Sequence, residues 1–361
     1  MPMKVGIVGL PNAGKSSLFT ALTKVAAEAA NYPFTTIEPN VAIVPVPDER
    51  LDQVSELVGA SEVVNDTMEV HDIAGLVAGA HKGEGLGNKF LANIRETDAL
   101  LHVVRAHDDS SVIHPEGGVD ALRDLNTIET ELLLADLDQA ERRLDRVVRQ
   151  AKSGDKVAVA EQAWLEAVIA ALDSGKAART VPPPADAPNA LRDLGPLTAK
   201  PVLIVANIGE GEEGVPPEIQ AHADEQGAGA VAVCIRLEAD LGGLDDEEAA
   251  EMRADLGAGE SGLSRVLRGA FELLDLISFF TAGEAKPAHS WHLGRGKSAW
   301  EAAGQIHSDI QQGFVRAEVI GWKELLECGG YVQAKDKGLL RIEGRDYVMQ
   351  DGDIISIRFT P

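Results

Sequence analysis

The residues with the most chemical content stand near the start of the chain, in Gly9-Leu-Pro-Asn-Ala-Gly14-Lys15-Ser16, a complete G-x-x-x-x-G-K-S. Glycines at these two places let the backbone turn tightly enough for its N–H groups to surround phosphate oxygens. A lysine directly after the second glycine neutralises the β and γ oxygens, and the hydroxyl after it is a ligand for Mg²⁺. Such a loop works only between rigid supports. Lys4 to Val8 is a short apolar run rich in β-branched residues, which reads as a buried parallel strand, and from Ser17 the chain takes up helical spacing. A helix starting there aims its positive end at the same anion. The expectation is a nucleoside triphosphate site in which Lys15 is also the catalytic cation.

Further along, Asn31 to Asn40 (NYPFTTIEPN) is a proline-punctuated loop at the place where P-loop switch proteins supply a threonine hydroxyl to Mg²⁺. Thr36 is the candidate, with Thr35 as its alternative. Asn40 to Pro45 and Thr67 to Ile73 read as strands. The second ends in Asp72-Ile-Ala-Gly75, a D-x-x-G whose Asp72 can hold Mg²⁺ through water and whose Gly75 N–H can bond a γ-phosphate. A glycine-rich stretch suited to a second switch follows. Many GTPases carry a water-orienting Gln directly after that glycine; this chain has Leu76, which cannot position water. After the buried strand Asp98 to Arg105 comes a polar loop with His107 and His114, and His114 is the candidate to orient water, against a reading as a solvated loop histidine.

The pattern then changes. Leu125 to Lys152 and Ala158 to Ala171 read as amphipathic helices separated by Ser153-Gly154-Asp155, hence an antiparallel hairpin, either solvated or docking a partner. A buried strand, Pro201 to Ala206, resumes the nucleotide domain and delivers Asn207-Ile208-Gly-Glu210 at its carboxyl end. A GTPase has N-K-x-D there, its Asp accepting from guanine N1–H and N2–H. Glu210 is one methylene longer and the Lys is missing, so guanine loses its matched acceptor. Adenine, with an acceptor at N1 and a donor at N6, can be served by Asn207 and backbone around Ile208, which favours ATP over GTP. Ala230 to Ile235 reads as the last strand, with Arg236-Leu-Glu-Ala as a loop near the base. From Ser278 the chain is β-rich, with one helix over Ser298 to Gln312. The expected division is 1–124 with 199–277, 125–198, and 278–361.

The totals narrow the class. Of 361 residues 45% are hydrophobic and 25% charged, as in globular proteins, and no apolar run is long enough to span a bilayer. The apolar start runs straight into the phosphate loop rather than forming a signal peptide, so a cytoplasmic protein without membrane association is expected. A net charge of −25 argues against wholesale wrapping of nucleic acid, and no DNA partner is expected, yet from Ser278 onward ten basic residues nearly balance eleven acidic ones, which leaves room for a local basic face. Cys234 and Cys328 have no metal or redox spacing, and Cys234 reads as a buried thiol.

With these motifs in place the chain resembles the YchF family of Obg-like, ribosome-binding ATPases over essentially its whole length. GLPNAGKSS, NYPFTTIEPN, DIAGLVAGAHKGEGLGNKFL, the N-x-x-E at Asn207 to Glu210 and the C-terminal domain occur in order. The resemblance implies an α/β fold: an Obg-type P-loop NTPase domain with a mostly parallel sheet, an inserted antiparallel helical hairpin, and a C-terminal α+β ubiquitin-like TGS domain. It implies ATP preference, slow Mg²⁺-dependent hydrolysis to ADP and phosphate, and binding to rRNA and protein surfaces of the ribosome or its subunits. Carried over by position, Asn12, Ala13, Gly14, Lys15, Ser16 and Ser17 bind phosphates, Ser16 and Thr36 bind Mg²⁺, and Ile208 lies at the adenine. Two departures stand out: Thr35 where relatives often have Cys, and Ile235-Arg236-Leu237 in place of small polar residues. The alternatives are an Obg-type GTPase and a binding module for which ATP is mainly a conformational ligand.

Overall fold

Seven short runs of apolar, β-branched residues in the first two-thirds of the chain become strands: β1 (Met3–Val8), β2 (Val41–Pro45), β3 (Val63–Val64), β4 (Thr67–Asp72), β5 (Ala99–Arg105), β6 (Val202–Asn207) and β7 (Gly229–Val233). The computed structural model describes residues 3–28, 40–73, 86–109, 112, 114, 117–242, 244, 246–255 and 261–360. All of these strands except β3 form one sheet in the order β2-β4-β1-β5-β6-β7, parallel apart from the β2–β4 pair. Every residue of β5 is buried, as a central parallel strand covered on both faces requires. Helices α1 (Lys15–Glu28), α2 (Glu49–Val58) and α3 (Leu86–Arg95) follow β1, β2 and β4. Leu18 and Leu22 of α1 pack on one face of the sheet, while Phe90, Leu91 and Ile94 of α3 belong to a second cluster with Val8 and Leu100.

The hairpin is built from α4 (Ala121–Ala151) and α5 (Lys156–Asp173). Asp120 caps α4 by accepting from Arg123 N–H, and Asp155 caps α5 by accepting from Val157 and Ala158 N–H. Gly154, at φ +83°, makes the reversal between them. Val147, Trp164, Leu165, Val168 and Leu172 fill the seam. The root of the hairpin is fastened by a charge. Asp136 is fully buried and accepts from Leu197 N–H and Thr198 N–H, both at 2.8 Å, and from the Thr198 hydroxyl at 2.7 Å. Burial pushes its carboxyl pKa up, and these three donors oppose that shift.

The second sheet uses β8 (Leu276–Thr281), β9 (Ala288–Gly294), β10 (Phe314–Gly321), β11 (Arg341–Glu343) and β12 (Asp353–Phe359). Its order is β11-β10-β12-β8-β9-β3, so its last strand comes from the first third of the chain. Helix α2 goes with it: Leu51 and Val54 pack among Phe280, Ala288, Ile320, Leu325 and Ile354. Arg50 joins Asp48 to Asp351, and Asp66 accepts from His292 N–H at 2.6 Å. The 1–124 stretch placed in the nucleotide domain by sequence thus contains a segment whose apolar face is buried in the C-terminal domain.

Three local readings change. The helix expected over Ser298 to Gln312 is two, Ala299–Ile306 and Ser308–Gln312, because His307 takes an extended conformation and its Nδ1 caps the second one through Asp309 N–H. The stretch around Arg236 is the first turn of a helix, Ile235–Leu241, rather than a loop. Cys234 is half-buried instead of buried, since β7 ends one residue before it. Among the described residues no helix is long and apolar enough to cross a membrane.

Candidate functional site

The loop between β1 and α1 has the backbone its glycines were expected to allow. Gly9 sits at φ +151°, where a Cβ would lie 2.3 Å from the Val103 carbonyl oxygen, and Gly14 sits at φ +106° against the Asn207 amide. Lys15 begins α1 and is buried, its Nζ donating to the Leu10 carbonyl at 2.7 Å. Burial lowers its pKa, and the Asp72 carboxylate opposes that shift. Asp72 ends β4, level with Ile7 of β1, and this register brings its Oδ2 to 3.4 Å from the Ser16 hydroxyl. Among the described residues no cluster of three or more His, Cys, Asp or Glu side chains is arranged to hold a metal. The Ser16–Asp72 pair, one hydroxyl and one carboxylate, is instead the hard oxygen donor set that suits Mg²⁺ shared with phosphate oxygens and water. Thr36 and Gly75, and Leu76 beside it, lie outside the described residues.

The side where the base was expected is built by the carboxyl ends of β6 and β7. Asn207 is buried, its Nδ2 donating to the Ala13 carbonyl at 3.1 Å and its Oδ1 accepting from Ile235 N–H at 3.3 Å. One donor and one lone pair of the amide are thus engaged within the protein, which leaves its second N–H and second lone pair for a base. The Ile208 side chain is buried among Leu125, Ile204 and Ile219, and its N–H donates to the Val233 carbonyl. Glu210 is exposed, 3.5 Å from Arg236. Asn12 on the phosphate loop and Ser17 in the first turn of α1 are exposed.

His114 is brought to the first turn of α4, where its Nε2 lies 2.8 Å from Asp124 Oδ2 with little solvent contact. The two line a small recess behind the phosphate loop with Leu10, Pro11, Ala13 and His102. His107 bonds the Asn207 carbonyl through Nδ1. Sequence reasoning missed two residues of β5. Arg105 is buried and donates to three carbonyls of the following loop, those of His107, Asp109 and Val112. His102 is wholly enclosed, and burial, with Lys15 and His222 adding to it, pulls its pKa down to about 3. The signal for both was a titratable residue inside or ending an otherwise apolar run.

Comparison with known proteins follows this geometry. A family model described as a 50S ribosome-binding GTPase matches residues 4–148, and the model YchF-GTPase_C, described as a protein of unknown function, matches residues 276–360. The chain is 48% identical to the Ribosome-binding ATPase YchF of Haemophilus ducreyi, with 99% of each covered. It is 45% identical to the Bacillus subtilis protein of the same name, covering 99% of this chain and 100% of that one. The solved Schizosaccharomyces pombe YchF GTPase superposes with a TM-score of 0.86 at 35% identity, covering 99% of this chain and 97% of that one. With full-length relatives at this identity and a shared two-sheet architecture around one phosphate loop, the chain belongs to the YchF family.

Proposed function

We propose that this protein is a Mg²⁺-dependent ATPase whose nucleotide state controls its binding to the ribosome or its subunits. The observation that carries the reading is the phosphate loop, with buried Lys15 inside it and the Ser16–Asp72 oxygen pair beside it. Relatives at 48% and 45% identity named ribosome-binding ATPases support both the nucleotide and the partner. Lys15 exchanges its Leu10 carbonyl for a phosphate oxygen, and the Gly9–Gly14 backbone N–H groups surround the remaining charge, which stabilises the transferring phosphoryl group. Ser16, Asp72 through water and Thr36 would hold Mg²⁺, which would supply charge neutralisation to the phosphates. Thr36 and Gly75 are the proposed sensors of the γ-phosphate. His114, fixed by Asp124, is the proposed group that orients water in place of the missing Gln.

GTP is the second reading, favoured by the GTPase name of the yeast structure. Competition of ATP and GTP against a fluorescent nucleotide, with phosphate release and co-sedimentation with ribosomes, tests all parts together. ATP is expected to win, Lys15→Ala to abolish phosphate release, and nucleotide to change the ribosome-bound fraction. A protein that prefers GTP, or that co-sediments identically with ATP, ADP or neither, overturns the corresponding part.

A further inference from the structure

Glu210 and Arg236 follow adjacent parallel strands whose ends are level, Asn207 opposite Val233. They therefore share the edge at which an open α/β sheet takes its ligand. That edge is tied to the phosphate loop, because Asn207 bridges Ala13 and Ile235, and Ile235 Cδ1 lies 3.2 Å from where a Cβ on Gly14 would sit. Arg236 Nε is 3.5 Å from Glu210 Oε1, with the side chains 77% and 64% exposed. The neighbouring Glu212 carboxylate closes its own turn by accepting from Gly209 N–H at 2.8 Å.

We propose that Arg236 is a specificity-determining residue of the nucleotide site, holding Glu210 so that guanine cannot use it. The inference rests on the nucleotide reading above and deepens it. Guanine's N1–H and N2–H flank one carbon, as the N–H groups of a guanidinium do, and a carboxylate reads either through two parallel hydrogen bonds. Arg236 sets a guanidinium, which carries that donor fork, beside the acidic group of the N-x-x-E motif, its Nε nearest Glu210 Oε1. A guanine base must compete with Arg236 for Glu210. Adenine has no such donor pair and asks nothing of Glu210, while a guanidinium beside it offers donors to its N1 acceptor. Lysine would carry the charge without the fork.

The test is titration of mant-ATP and mant-GTP, at constant Mg²⁺, against wild type, Arg236→Ala, Arg236→Lys and the double variant Arg236→Ala/Glu210→Ala. Arg236→Ala is expected to shift the affinity ratio toward mant-GTP by about two- to fivefold, the size of one exposed ion pair. Arg236→Lys should fall between it and wild type, and the double variant should return to the wild-type preference. An unchanged ratio in Arg236→Ala, or a shift that persists in the double variant, overturns the proposal while leaving the nucleotide site intact. Failure of wild type to bind either probe overturns the underlying reading, and it is seen before any variant is compared.

Discussion

Replacing Asn207 by Ala separates two roles for the residue, a base reader or a brace for the phosphate loop. The brace is made of two buried hydrogen bonds, to the Ala13 carbonyl at 3.1 Å and from Ile235 N–H at 3.3 Å. Removing the amide leaves both backbone groups without it, at about 1–3 kcal/mol each when buried. The second contact is long, so a total of about 2–4 kcal/mol is expected, measurable as a lower urea midpoint with unchanged slope. Because Ala13 belongs to the loop that surrounds the phosphates, and phosphates are common to ATP and GTP, both affinities should fall by a similar factor. Asn207→Asp should behave alike: it keeps an acceptor for Ile235 N–H but sets a carboxylate oxygen against the Ala13 carbonyl. Titrations with mant-ATP and mant-GTP on the folded variants check this. If one nucleotide weakens tenfold or more, about 1.4 kcal/mol, while the other does not move, the residue reads the base and the reasoning fails.

Two other perturbations follow from buried titratable groups. His102 has a folded pKa near 3 against an ordinary 6.5, so the unfolded chain binds more protons between those values. Its contribution to stability is whole above pH 6.5 and is lost by about 1.4 kcal/mol per unit as pH falls toward 3. His102→Phe should flatten that part of the curve of stability against pH, and a slope equal to wild type's would show the group to be hydrated. Asp136→Ala leaves Leu197 N–H, Thr198 N–H and the Thr198 hydroxyl without their acceptor, at about 3–5 kcal/mol. Hydrogen exchange should rise first around 197–199 and the adjoining part of α4; uniform exchange across the chain would count against a local fastening.

What could be read in the sequence was what is local. The strand–loop–helix of Met3 to Glu28, the mostly apolar β5 and the two capped helices of the hairpin each carry their own periodicity and turn residues. Two short helices, Trp322–Cys328 and Tyr331–Asp336, were hidden in a stretch that reads as β-rich, since six or seven residues are too few to establish a helical period. The engagement of Asn207 depends on a carbonyl 194 residues away, and no spacing rule reaches that far. Strand β3 is two residues long and its partner is β9, so nothing around it announces a strand. The phosphate loop is legible because its residues form one contiguous motif; the arrangement around Asn207 is not, because it is assembled from the ends of β6 and β7.

The passage of α2 and β3 into the second sheet has a consequence for how the molecule can be taken apart. A chain cut before β8 keeps Leu51 and Val54 but loses the surface they cover, and a fragment beginning at β8 lacks the edge strand and helix that close it. The two halves are stitched rather than strung. On the ribosome the newly made segment 46–66 must wait, its apolar face uncovered, until the last strands are synthesised. In the finished protein the β2–β4 edge beside the phosphate loop reaches the far sheet through two short connections, residues 46–48 and 65–66.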